Sequence, residues 1–320
     1  MRKLQRPSIS LPTIRSIESQ YDITKDKDSG GPPEGKWNNP DVRGALYAMS
    51  GRVCAYCQRH ASDGRGDVEH FRPKSLYRWL QYDFDNYYIS CAMCNQQRKG
   101  NKFPLEAGAQ RMTQSNHVTR HDEKRLLLDP SVDPAEKWVR VNYRDPLCPV
   151  EPVENIGAKG SARTKETIRF FWLNTKQEIR TDRYSKINEA LNLLDKATDG
   201  NLLAKTLLLK MANRYQPHGA AIRQVIKEIA PSIVLPSLAD ELKWHIGEIL
   251  RSIDEGKTLL ETLLDLSISE QKDINDSIEE DYWSIAVLLK DPPGDPPVNI
   301  SEWIDKESLN RLQIEYLPKL

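Results

Sequence analysis

Two cysteine pairs constrain this chain more than any other feature: Cys54-Ala-Tyr-Cys57 and Cys91-Ala-Met-Cys94. Thiols three residues apart can both point at one ion, and two such pairs complete a closed tetrahedral four-thiolate site for Zn2+. A disulfide framework is the competing reading, and it needs an oxidising compartment and a higher cysteine density. The chain carries five cysteines in 320 residues and opens on MRKLQRPSIS, without the apolar run of a secretory signal, so a reducing bacterial cytoplasm is expected. A closed four-thiolate set leaves zinc no position for substrate, so the ion is expected to be structural. Cys148 has no partner motif and reads as a buried or surface thiol.

The segment between the pairs has its own pattern. Val68-Glu-His-Phe-Arg-Pro73 reads as a short strand ended by proline, and Asp85-Asn-Tyr-Tyr-Ile-Ser90 as a second strand rich in aromatic and β-branched residues. Ala92 through Lys99 has the composition of a helix, stopped at Gly100. The order is strand, loop, strand, helix, with the cysteine pairs clamping the ends.

This arrangement resembles the HNH nucleases, whose ββα-metal site has the same order, and in particular the subtype carried on a zinc-binding treble clef, as in the phage endonuclease that resolves branched DNA. The resemblance implies an α+β fold: a zinc-stapled ββα-metal nuclease domain followed by a mainly helical domain. Residue by residue, it implies His70 as the general base that takes a proton from the attacking water, a task suited to an imidazole. It implies Glu69 and Asn95 as ligands of a catalytic Mg2+ or Mn2+, since oxygen donors suit a hard ion. Asn86 matches the asparagine that braces the histidine loop. Lys99, with Arg98 nearby, matches a phosphate-holding position. The family's metal-binding acid is more often Asp; Glu69 is one methylene longer, which leaves open a shifted ion or a part for Asp67.

Taken singly these residues have plainer readings: a solvated Glu-His pair, a capping Asn, a surface Lys. Their order inside two cysteine pairs is what joins them. The other histidines fit no slot in the pattern: His60 lies near the first knuckle, His117 and His121 in a polar stretch, His218 and His245 in helical context. All five read as structural or exposed.

Length and composition suggest four parts: a polar, partly disordered arm over 1–36, the zinc-containing domain over 37–150, a helical partner-docking domain over 151–290, and a Pro-rich linker with a short helix over 291–320. A lead-in helix is expected over Trp37 to Met49, and a covering strand and loop from Leu126-Leu-Leu-Asp-Pro130 and Trp138 to Tyr143. The 3-4 spacing of apolar residues predicts helices from Thr164 onward, including Leu202–Arg214, Ala220–Ile229, Leu238–Leu266 and Glu270–Leu289. No run is long and apolar enough to span a membrane. Residues 1–231 hold 38 Lys and Arg against 27 Asp and Glu, a net of +11, whereas 232–320 hold 8 against 19, a net of −11. A basic half suits a polyanion; the acidic remainder suits a protein contact or a cover for the basic region; ordinary solvated surfaces explain both equally simply.

A narrower resemblance covers roughly residues 37–195. The cysteine pairs, Val68-Glu-His-Phe-Arg-Pro-Lys-Ser75, Asn86-Tyr-Tyr, Leu126-Leu-Leu-Asp-Pro130 and Thr167-Ile-Arg-Phe-Phe-Trp-Leu-Asn174 are similar to the HNH subunit of Septu-type anti-phage systems, a family also found beside retrons. That resemblance implies an effector nuclease working with an ATPase subunit. The chain has no GxxxxGK[ST] loop, so ATP hydrolysis would come from that other subunit. Its target would be nucleic acid, either DNA or an RNA such as tRNA, which the motif does not distinguish. Two alternatives stand beside this: an HNH enzyme of restriction, homing or branched-DNA processing, and a zinc module that binds nucleic acid without cutting it.

Overall fold

Aromatic and β-branched content sets the first sheet. In the computed structural model, Asp67–His70 forms strand β1 and Tyr87–Ser90 forms β2, antiparallel, with Asp67 opposite Ser90 and His70 opposite Tyr87. Aromatic and β-branched residues fill a pleated, enclosed surface well, and all four β2 residues are buried. The connection contains 3-10 turns at Arg78–Leu80 and Phe84–Asn86. A helix over Met93–Lys99 follows, of the wide π form: Gly100 N–H donates to the Asn95 carbonyl five residues back at 2.7 Å. Gly100, with φ of 47°, ends it where the sequence places the stop.

The structure describes residues 1–4, 6, 14, 36–61, 66–113, 123–262 and 268–289. Most of the expected N-terminal arm, His117 and His121, and the Pro-rich linker with its final helix lie outside the described residues. Two compact units emerge from the packing: Met1–Gln5 with Arg52–Leu235, and Arg6–Gly51 with Pro236–Leu320. Composition had suggested divisions elsewhere, after residues 36, 150 and 290.

The first unit mixes helices with two small antiparallel sheets, as an α+β chain should. After α2 (Ala135–Trp138), strand β3 (Val139–Val141) pairs with β4 (Val150–Pro152). Then come α3 (Gly157–Phe170), α4 (Gln177–Thr198), α5 (Leu202–Met211) and α6 (Gly219–Ile229). Ile187, Ala190 and Leu194 of α4 keep the 3-4 spacing and meet Leu208, Ile222, Val225, Ile226 and Val141 in one apolar core. Each buried Leu or Ile there contributes about 2 kcal/mol.

Helix α3 starts seven residues before the expected Thr164. Its first turns lack apolar periodicity, and other contacts hold them. Gly160 lies against the Trp138 ring, where an added Cβ would sit 3.2 Å from the indole. Arg163 bonds Asp133 at 2.8 Å, both buried. The Leu126–Pro130 segment is anchored by side chains: Leu128 N–H donates to Thr167 Oγ1 at 2.8 Å, and Asp129 N–H to Asp133 Oδ2 at 2.8 Å.

The second unit packs α1 (Pro40–Ser50) against α8 (Ile268–Leu289), with α7 (Leu238–Thr262) against α8. Gly44 permits the close approach. A Cβ there would lie 2.4 Å from the Glu280 carbonyl oxygen, and Ser284 Oγ–H donates to Gly44 O at 2.7 Å. Beside it Arg43 bonds Glu280 at 2.8 Å, with Tyr47 completing the buried cluster. Among the described residues, no helix is long and apolar enough to cross a membrane.

Candidate nuclease site

The four thiols gather as their spacing requires. Cys54, Cys57, Cys91 and Cys94 are buried, with sulfurs within 4.8 Å of one another. Cys57 Sγ and Cys91 Sγ are 3.7 Å apart. A tetrahedral ion with Zn–S bonds of about 2.3 Å sets sulfurs about 3.8 Å apart, so the set fits zinc closely. The crowded thiols share their protons unevenly. Burial would push Cys54 up, but hydrogen bonds from Cys57, Cys91 and Cys94 hold it well below its usual value. Hydrogen bonding to Cys54 and Cys91 pushes Cys57 and Cys94 well above theirs. A thiolate is the form that binds metal. The first pair precedes β1, and the second begins directly after β2 and opens the π-helix, so the cysteines fix strand against helix.

Period-two alternation puts Asp67 and Glu69 on one face of β1, and Val68 and His70 on the other. Glu69 is buried. Its Oε1 lies 2.7 Å from Lys99 Nζ and accepts from Tyr56 O–H at 3.2 Å. Burial raises the Glu69 carboxyl and lowers the Lys99 amine, while their mutual attraction opposes both shifts. Lys99 Nζ also donates to the His70 carbonyl at 2.6 Å. Lys99 was expected to hold a phosphate, and the geometry corrects this: its side chain is 0% exposed and its ammonium is committed within the protein. Arg98, next to it, is the more accessible cation of the same helix.

Asn95 meets a different acid. Its Nδ2 donates to Asp67 Oδ2 at 3.0 Å, and Gln96 Nε2 donates to the same oxygen at 2.9 Å. Of the two expected ion ligands, Asn95 therefore meets Asp67, the acid whose part was left open, and Glu69 is drawn to Lys99. Alternation gave the signal in sequence, because Asp67 and Glu69 share a face; the burial of a lysine gave none.

His70 sits on the other face, against the edge of the Tyr87 ring. Its Nε2 lies 2.9 Å from the Gln81 carbonyl oxygen. A carbonyl can only accept, so Nε2 carries the proton and the basic lone pair of the neutral ring is on Nδ1. Burial lowers the imidazole to about 4, which keeps it neutral near pH 7. Asn86 ties the loop that follows: its Oδ1 accepts from Arg72 N–H at 2.8 Å, and its Nδ2 donates to the Arg72 and Leu80 carbonyls at 3.0 and 3.3 Å. Gln81 and Tyr56 carry no sequence signature that would have marked them as neighbours of the histidine and the acid.

Of the remaining histidines, His60 is exposed, and His218 is buried with Nε2 2.9 Å from Asp182 Oδ2. His245 is buried in α7.

No family model matches the chain. Curated relatives exist nonetheless. The chain is 26% identical to a Septu protein PtuB of Bacillus mycoides (strain KBAB4) over 238 residues, covering 69% of this chain and 74% of that protein. It is 28% identical to a Septu protein PtuB of Bacillus thuringiensis over 110 residues, 33% of this chain and 35% of that protein. A retron Vc95 protein of Vibrio cholerae serotype O1 biovar El Tor, named as a candidate HNH endonuclease, is 32% identical over 75 residues, 20% of this chain and 37% of that protein. The likeness to the HNH type of Septu and retron systems, read from the motifs, is borne out by these names.

Proposed function

We propose that this chain, a relative of Septu and retron HNH proteins, is a cytoplasmic, zinc-stapled HNH endonuclease that hydrolyses nucleic-acid phosphodiester bonds as the effector of an anti-phage system. The observation that carries the reading is His70, a neutral imidazole with its tautomer set by the Gln81 carbonyl, on a strand pair joined to a helix by four thiols.

In this reading His70 Nδ1 takes a proton from a water whose oxygen attacks phosphorus, and the bond from phosphorus to the departing oxygen breaks. Asn86 holds the loop after β1, and Lys99 fixes the end of β1 through the His70 carbonyl. Asp67 and Asn95 offer oxygen donors that suit a hard divalent ion on the face of β1 opposite His70, and Glu69 joins them only by leaving Lys99. These are the residues that would hold Mg2+ or Mn2+, which would supply positive charge to offset the negative charge developing in phosphoryl transfer. The helical region over 151–290 is proposed to dock an ATPase subunit. The net charge of +11 over residues 1–231 suits a DNA or RNA substrate.

The closed Glu69–Lys99 pair favours one second reading, a zinc module that binds nucleic acid without cutting it. The two separate in one experiment. Wild type, His70→Ala, Asp67→Asn and Glu69→Gln are incubated with DNA and RNA pools in Mg2+, alone and with the proposed ATPase subunit and ATP. Cleavage by wild type that His70→Ala abolishes supports the nuclease. Equal cleavage by His70→Ala removes the assignment of the base, and binding without cleavage under every divalent metal supports the second reading. A loss in Asp67→Asn of about 100-fold, exceeding that in Glu69→Gln, supports Asp67 as the ion's acid.

A further inference from the structure

Helix α3 ends in Phe170-Phe171-Trp172-Leu173, and Trp172 takes φ of 53°, a left-handed conformation that bulky residues rarely adopt. The turn is firmly built: Phe171 stacks on Tyr56 at 4.1 Å between ring centroids, and Phe170 meets Phe171 edge-on. The strained backbone presents Trp172 at the surface, and the residue is 38% exposed.

Arg98 lies over that indole, with its guanidinium carbon 3.4 Å from the ring centroid. Arg98 Nε–H donates to the Phe170 carbonyl at 2.8 Å, which fixes the guanidinium plane. This arginine belongs to the π-helix that also bears Asn95. From Trp172 a groove of about 590 Å³ runs past Lys165, Ile168, Arg169, Asn174 and Glu151. Glu166 pairs with Arg169 at 2.6 Å and offsets part of its charge, which leaves Arg98 over the indole and Lys165 in the groove as the chief cations. A surface indole, a guanidinium clamped over it and a partly cationic groove together make the combination that single strands use: bases stack on the exposed part of the indole–guanidinium pair while phosphates follow the cations.

We propose that Trp172 and Arg98 form a platform that stacks an unpaired base of single-stranded nucleic acid, with Lys165 at its phosphates. This deepens the nuclease reading and rests on it, because it names the strand form that the same protein grips. A protein-docking role for the groove would leave strand binding untouched, and a purely structural clamp would lower stability alone.

The test uses the full chain carrying His70→Ala, so that bound strands persist. Fluorescein-labelled single-stranded DNA and RNA 20-mers and a blunt duplex are titrated by anisotropy. Adding Trp172→Ala is expected to weaken single-strand binding about tenfold and duplex binding far less, with Trp172→Phe restoring most of the loss because a flat ring remains. Arg98→Ala and Lys165→Glu are expected to weaken single-strand binding as well and to flatten its salt dependence. Melting curves accompany every variant; if Trp172→Ala unfolds, Trp172→Phe and Lys165→Glu decide. Unchanged single-strand affinity in folded Trp172→Ala, or in Lys165→Glu where it must stand in, overturns the platform. If His70→Ala abolishes cleavage meanwhile, the nuclease reading survives it. Failure of the His70→Ala parent and of wild type to bind any of the three probes overturns both.

Discussion

Lys99 and Glu69 face each other at 2.7 Å with both side chains withdrawn from water, the only cation of the π-helix that is fully buried set against the middle of β1. Lys99 also bonds the backbone carbonyl of His70, so one ammonium ties the acid, the strand end and the helix together.

Breaking that pair on one side should cost more than removing both partners. Lys99→Met leaves the Glu69 carboxyl buried without its cation and is expected to destabilise the first unit by about 3 kcal/mol. Adding Glu69→Leu to Lys99→Met should recover much of the loss, because the uncompensated charge is gone. Urea unfolding of the single and double variants measures both. A Lys99→Met protein as stable as wild type would show that the pair carries no structural role.

Metal analysis of purified protein should find about one zinc per chain. Cys57→Ser and Cys91→Ser are each expected to lose the ion and melt lower, since an oxygen ligand binds zinc less well and one of the two strand-to-helix clamps opens. Strong chelators should do the same to the wild type. Full zinc occupancy in both variants would exclude the four-thiolate site.

Stability should fall on mild acidification through His218. Burial is the main cause that lowers its imidazole below 6.5; Asp182 opposes it, and Arg183 and the chain's amino terminus act with burial. The unfolded chain then takes up the proton first, so the contribution is complete above about pH 6.5 and declines as pH falls below it. Asp182 is also lowered, but its contribution is lost only as pH falls through the ordinary carboxylate value of about 4 and beyond, below the range tested. Unfolding free energies at pH 7.5 and 5.5 are expected to differ for wild type and to differ less for His218→Gln. Equal differences in the two proteins would remove His218 as the source.

Gly44→Ala should weaken the second unit. The added Cβ would press on the Glu280 carbonyl and on Trp283 Cβ, each 2.4 Å away, and α1 and α8 would have to separate. A loss of about 2 kcal/mol is expected from such overpacking. Thermal melting monitored by circular dichroism checks it, and an unaltered or raised midpoint would contradict the close helix contact.

The strand pair and the helix after it were legible because a terminating proline, aromatic and β-branched content and a terminal glycine are local signals. The four thiols were legible because their spacing is itself the geometry. Gly157 to Arg163 was not legible as helix, since what holds it is Trp138 and Asp133, residues whose approach only the fold supplies. The same limit applies within the candidate site. A lysine in sequence suggests solvent, and nothing local tells that Lys99 turns inward to Glu69 while Asn95 turns to Asp67. Alternation along β1 carried half of that answer, by setting Asp67 and Glu69 side by side.

The second unit is assembled from two stretches of chain with the whole of Arg52–Leu235 between them. Helix α1 therefore leaves the ribosome long before the α8 face that covers it has been translated. At about 5–20 residues per second, its apolar side waits on the order of ten seconds or longer. Throughout that interval the nascent chain carries an uncovered adhesive surface, and a chain that terminates before α8 never hides it. Premature stops ahead of α8 are thus expected to yield material bound by chaperones, even where every residue from Cys54 to Lys99 has been made.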